Sequence, residues 1–290
     1  MYDTLGDKDA FEESAVKLKA KEAQLKNYVD THNSLTRRKN REQVVGFDKR
    51  ISAEAIGANK RAQTIGKMAN AKNSMDWSDA KPIVVSQKDK TEIISYAKEK
   101  NVNIVDLSKF DGDKNLLKAE IDSLSKVMEE YPEASRRKIT LTVGYLPDDD
   151  FAQTTNRTIT LNANALRNKQ ITEQNIKKAG IFASPKAEHI VVHEFGHILS
   201  SVKGNRGIEI TKKAYYNIVK ENISVSEALS YLADHISNYA VKYNGNIAED
   251  ILTGRVRENK YQEIISEVLS RDNFRSSKFT RAFLKILKEM

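Results

Sequence analysis

Cysteine is absent from the 290 residues, and proline (4), tryptophan (1) and histidine (5) are scarce. Without thiols the chain has no disulfide, no thiolate metal site and no cysteine nucleophile, so any metal centre must be built from His, Asp and Glu. Long apolar runs are missing as well: no stretch approaches the ~20 apolar residues of a membrane-spanning helix. The opening MYDTLGDKDAFEES is acidic and polar where a secretory signal needs a basic start and an apolar centre. The chain therefore reads as neither membrane-inserted nor exported by a standard signal.

What is present is an apolar fraction of 39%, enough to bury a core, and a net charge of +8. That charge is concentrated in the first quarter. Arg37, Arg38, Lys39 and Arg41 cluster there, and Lys49, Arg50, Lys60, Arg61 and Lys67 follow. A basic arm of this kind can meet nucleic acid or an acidic protein surface. With no aromatics interleaved, the plainer reading is a solvated helix face.

Between about Asp9 and Asn73, Phe11, Val16, Leu18, Leu25 and Val29 recur loosely at helical spacing among Ala, Lys, Glu and Gln. This predicts a helical, basic N-terminal region over residues 1–84, closed by a linker near 73–84 where NSMDWSDAKP is rich in Asn, Ser and Asp. From 85 to 290 the pattern is that of an α+β domain. Helices are expected over 88–100 (KDKTEIISYAKEK) and 114–131 (KNLLKAEIDSLSKVMEEY). Strands are expected over 138–146 (KITLTVGYL) and 157–163 (RTITLNA), where β-branched residues alternate, and the rest is largely helical. Internal repeats and low-complexity tracts are absent, which excludes solenoid architectures.

The densest chemical signal is VVHEFGHILS, residues 191–200. A helix over 185–202 is expected around it, with Ser184 as cap, Pro185 in the first turn and Gly204 as stop signal after Val202. On such a helix His193 and His197 project from one face a turn apart and can each turn a nitrogen to a common zinc ion. Glu194 lies about 100° round the helix from His193, within reach of a water on that ion. It can take the water's proton as the water attacks a carbonyl and pass it to the leaving amine. Two buried imidazoles and a carboxylate on one apolar helix are costly without a shared partner.

Zinc needs a third protein ligand. A continuation with Gly and His after the second histidine is ruled out, since Ser200 and Lys203 stand there. Glu227 is claimed by a capping box, Ser224-x-x-Glu227, and His235 is a lone histidine of the kind that usually hydrogen-bonds locally. YQEIISEVLS offers Glu263 and Glu267 one turn apart, with Ile264, Ile265, Val268 and Leu269 packing on the other side. Glu263 could bind zinc while Glu267 orients a ligand histidine, although two glutamates on a helix, taken alone, read as a solvated face.

HEFGH followed by Glu263-x-x-Ser266-Glu267 resembles the gluzincin arrangement, in which the first glutamate of an E-x-x-[SA]-[DE] helix is the third zinc ligand and the last residue supports a histidine. More narrowly, HEFGH with QEIISEVLSRDNFRSSKFTRAFLKIL resembles the family of the anthrax lethal factor catalytic domain and the zincin domains of phage minor-head and other phage-associated proteins, over about residues 138–290. The resemblance implies a small sheet whose edge strand precedes the active-site helix, a single zinc and peptide-bond hydrolysis. It also implies an oxyanion-stabilising tyrosine, for which Tyr239 and Tyr261 are both candidates. RTITLNA takes the place of the edge strand, with a substrate antiparallel along Thr158–Asn162.

The interval from His197 to Glu263 exceeds the family pattern. VKYNGNIAEDILTGRVREN is the insertion, and Glu249 within it joins His235 as a rival donor. Three functions follow as expectations. The first is a zinc metallopeptidase acting on phage or host protein, in the cytoplasm or a virion. The second is a structural virion component that retains the module, and the third is a nucleic-acid-binding protein acting through its basic arm. A purely structural zinc site has no need of a base, so Glu194 favours the first.

Overall fold

A computed structural model describes residues 75–147, 150–245 and 257–290, together with Lys26 and Asp30. The basic cluster of the first quarter, nearly all of the expected N-terminal helical region and Glu249 in the insertion lie outside the described residues.

Helix α1 (Gln87–Glu99) starts where the Ser86 hydroxyl accepts the Asp89 N–H, and it buries Ile93 and Ala97. After strand β1 (Asn103–Asp106), helix α2 (Lys114–Glu130) opens on Asp113, whose carboxylate accepts the Asn115 N–H. Its stripe of Leu117, Ile121 and Leu124 is buried completely, as the periodicity of a core-facing helix requires. One turn of helix, α3 (Pro132–Ser135), leads to the strands β2 (Thr140–Gly144), β3 (Ala152–Thr155) and β4 (Thr158–Asn162). Six α-helices follow among the described residues: α4 (Lys169–Ala179), α5 (Ile190–Val202), α6 (Gly207–Val219), α7 (Val225–His235), α8 (Glu263–Arg275) and α9 (Lys278–Glu289). The described residues are thus mostly helical around one four-stranded mixed sheet, an α+β arrangement. No helix among them is long and apolar enough to cross a membrane.

The sheet runs β1-β2-β4-β3, with β2 parallel to both β1 and β4 and with β3 antiparallel to β4. This corrects the expected edge strand. RTITLNA forms β4, which is interior and paired on both sides, and Thr158–Asn162 has no free edge for a peptide. Its Ile159 and Leu161 are almost wholly buried, which is why so apolar a strand belongs inside the sheet. The edge on this side of the sheet is β3, the polar segment AQTT, joined to β4 by a tight turn in which Asn156 takes a positive φ of 55°.

Two further expectations are corrected. The segment read as a linker belongs in part to the folded unit. Trp77 is 8% exposed and meets the Phe151 ring edge-on at 5.6 Å, Ala80 packs in the same cluster, and Asn175 bonds the backbone of Asp76 on both sides. One indole buries enough apolar surface to outweigh its Ser and Asp neighbours. The helix expected around HEFGH also begins later than 185. Ser184 does not cap it, because its hydroxyl is engaged with His189 and Lys186, and a 3-10 turn, Ala187–His189, precedes α5.

Candidate metal centre

Helix α5 has no capping side chain of its own, and the acceptor for its first turn comes from another element. Glu120 of α2 accepts the Val191 N–H at 3.1 Å, while its other oxygen is buried without a hydrogen bond. Burial pushes this carboxyl well above the usual range, against the pull of the Val191 N–H, and it caps the helix from behind.

One turn into α5, the rings of His193 and His197 lie 4.9 Å apart and nearly perpendicular. Ligand atoms of His193, Glu194 and His197 all fall within 4.8 Å of one another, a set that can hold a metal ion. Helix α8 completes the surroundings. Oε2 of Glu263 is 3.3 Å from Nε2 of both histidines, and this oxygen is buried with no hydrogen bond. Oε1 of Glu267 stands 2.8 Å from Nδ1 of His193, close but off the line of a straight N–H bond. The other oxygen of Glu267 accepts the Ala183 N–H and the Ser237 hydroxyl, which fixes the carboxylate.

The electrostatics follow from burial and these carboxylates. His193 is half-buried, and desolvation disfavours its charge, yet Glu263 and Glu267 outweigh that and raise its pKa well above the ordinary value. His197 is lowered by burial in spite of Glu263. Glu263 itself is lowered, because the two histidines overcome the burial that would raise it.

Glu194, 7% exposed, is held from the sheet. Thr154 of the edge strand β3 sets its hydroxyl 2.7 Å from Oε2 of Glu194 and 3.1 Å from its backbone oxygen. The cleft beside it is lined by Phe151, Phe182, His189, His193, Glu194 and Tyr239. Tyr239 lies in a 3-10 turn with its ring 5.8 Å from that of His193. Burial, then Glu263, Glu267 and Glu194, raise its phenol well above the ordinary value, so it is a neutral O–H. Tyr261 does not line this cleft, and its buried ring packs on Tyr243 at 5.1 Å.

The other sequence candidates fall away from the cluster. His235 is exposed, stacked on Tyr231 with its Nδ1 3.0 Å from the Tyr231 carbonyl. Glu227 closes the expected capping box with Ser224. Sequence reasoning missed Glu120, Thr154, Ser237, His189 and Lys242. Only His189 carried a signal, standing one turn before His193 with the spacing that separates His193 from His197.

The two helices meet at Gly196. A Cβ there would stand 2.4 Å from Cα of Ser266, so only glycine lets α8 come this close and bring Glu263 and Glu267 to the histidines. Gly196→Ala is expected to force the helices apart and lower stability by about 1–3 kcal/mol, with weakened metal binding. Thermal denaturation and a metal titration of the variant measure both, and parental values would contradict the packing. Neither models of known protein families, nor curated proteins, nor solved structures match this chain.

Proposed function

We propose that the chain is a zinc-dependent metallopeptidase, with His193, His197 and Glu263 as ligands and Glu194 as general base. The observation that carries this is the Glu263 oxygen, buried, without a hydrogen bond and equidistant from two imidazole nitrogens. A buried carboxylate oxygen left without a donor is costly, and a cation between it and the imidazoles answers it. Two imidazoles and one carboxylate, with no thiolate, match the ligand set of catalytic zinc. Glu194 is also near enough to be a ligand, but its Oε2 is engaged by Thr154, so the carboxylate of α8 is assigned to the metal.

Bound there, zinc would act as a Lewis acid toward a peptide carbonyl and would acidify water. The residues supply the rest. Glu267 holds the ring of His193 so that Nε2 faces the centre. Glu194, steadied by Thr154, takes a proton from the attacking water and returns it to the leaving amine. Tyr239 donates its O–H to the carbonyl oxygen as negative charge gathers there. A substrate main chain would pair with the outer edge of β3, Ala152–Thr155, beside Glu194. The substrate class is protein or peptide, with phage or host proteins as the partners that the sequence resemblance suggests.

Purified without chelator, the protein is expected to carry about one zinc per chain. Elemental analysis that finds no bound transition metal in folded protein would overturn the reading.

A further inference from the structure

Lys242 takes no part in the steps above, yet its ammonium stands between two groups that do. Nζ donates to the phenol oxygen of Tyr239 at 2.9 Å and lies 3.9 Å from Oε1 of Glu263. The lysine closes the 3-10 turn that carries Tyr239, so the backbone fixes both side chains together. Its own side chain is 39% exposed while that of Glu263 is 5% exposed: the charge reaches from solvent toward the buried carboxylate.

Charge counting gives this position a purpose. Three carboxylates, Glu194, Glu263 and Glu267, are buried around the centre. With neutral histidine ligands, a divalent cation leaves one negative charge uncompensated, and an uncompensated buried charge is expensive. Among the cations of the described residues, Lys242 is the one placed against both a ligand carboxylate and the cleft tyrosine.

Resting on the metallopeptidase reading, we propose that Lys242 is a positioning residue that brings the zinc-loaded centre to neutrality and, by donating to the Tyr239 oxygen, leaves the phenol's own O–H to serve the substrate. The two roles have opposite signs for zinc and for turnover. As a cation beside a ligand carboxylate, Lys242 opposes the binding of another cation. As a donor to the phenol, it makes Tyr239 a stronger hydrogen-bond donor in the transition state. A residue that merely propped the turn would, when removed, weaken both.

Lys242→Met, Lys242→Gln and Lys242→Arg, each checked for folding by circular dichroism, are titrated with zinc against a chromophoric chelator. Met and Gln are expected to bind zinc about tenfold more tightly than the parent, a figure reduced for the exposure of the lysine, and the gain should shrink as salt is added. Arg should bind zinc like the parent. On a quenched-fluorescence peptide mixture, Met should lower kcat about tenfold and leave KM unchanged. Zinc binding in Met and Gln that is equal to or weaker than the parent's overturns the charge role. Tighter zinc with unaltered kcat overturns the role toward Tyr239. A parent chain that binds no zinc overturns the metallopeptidase reading and this inference together, whereas a parent that binds zinc with no effect of Lys242→Met overturns the inference alone.

Discussion

Glu263→Ala is expected to empty the metal centre. The substitution removes the oxygen that faces both imidazoles and would leave the proposed zinc with two protein ligands in place of three. The loss of affinity should exceed that of Glu267→Ala, for which removal of a supporting carboxylate predicts roughly ten- to a hundredfold. Glu267 holds His193 from behind and is itself held by Ala183 and Ser237, so its loss loosens a ligand without deleting one. Competition titration of both variants with zinc ranks them. His235→Ala and Glu249→Ala belong in the same series. His235 is an exposed side chain stacked on Tyr231 and should leave affinity untouched. If either of these two empties the centre while Glu263→Ala stays loaded, the assignment of the third ligand is wrong.

Glu194→Gln should separate metal binding from chemistry. Glutamine has the shape of glutamate, and its carbonyl oxygen can still accept from Thr154, so the fold and the zinc content should persist. The amide cannot take a proton from water, and hydrolysis of a peptide mixture should fall by about 10²–10⁴-fold, the usual worth of a positioned general base. A variant that cleaves at the parental rate would remove Glu194 from that role. One that loses zinc would make it a ligand, and the 4.8 Å grouping of His193, Glu194 and His197 would then describe the metal set.

The parts of this arrangement that were legible in the sequence are those fixed by local spacing. His193 and His197 share a face because they are four apart, Glu263 and Glu267 for the same reason, and Ser224-x-x-Glu227 closes its box within one turn. What brings the pairs together is tertiary, and its only trace was a glycine whose purpose shows once Ser266 lies against it. The edge strand escaped notice because AQTT has no apolar alternation. Its conformation is imposed by pairing with β4, Thr154 against Ile159, and its polarity is what an exposed edge requires. Trp77 was hidden in a composition that reads as linker. Ser237 and Lys242 reach the centre from two positions in an irregular segment, and Glu120 meets the first turn of α5 from a distant helix, where residue type and chain position say nothing about neighbours.

That the histidines sit on α5 and the glutamates on α8, with α6, α7 and the insertion between them, bears on how the chain folds. Their encounter closes a long loop, and the entropy of that closure is set against folding before any contact repays it. An ion that binds only the closed form enters as mass action: at a free concentration one hundred times its dissociation constant it adds about 2.7 kcal/mol to the folded state. For a marginally stable domain that is a large share of the total. If zinc binds as proposed, the lifetime of the docked C-terminal helices would follow the zinc supply of the surroundings, and the ion proposed for the cleft would also set how long the chain resists unfolding and degradation.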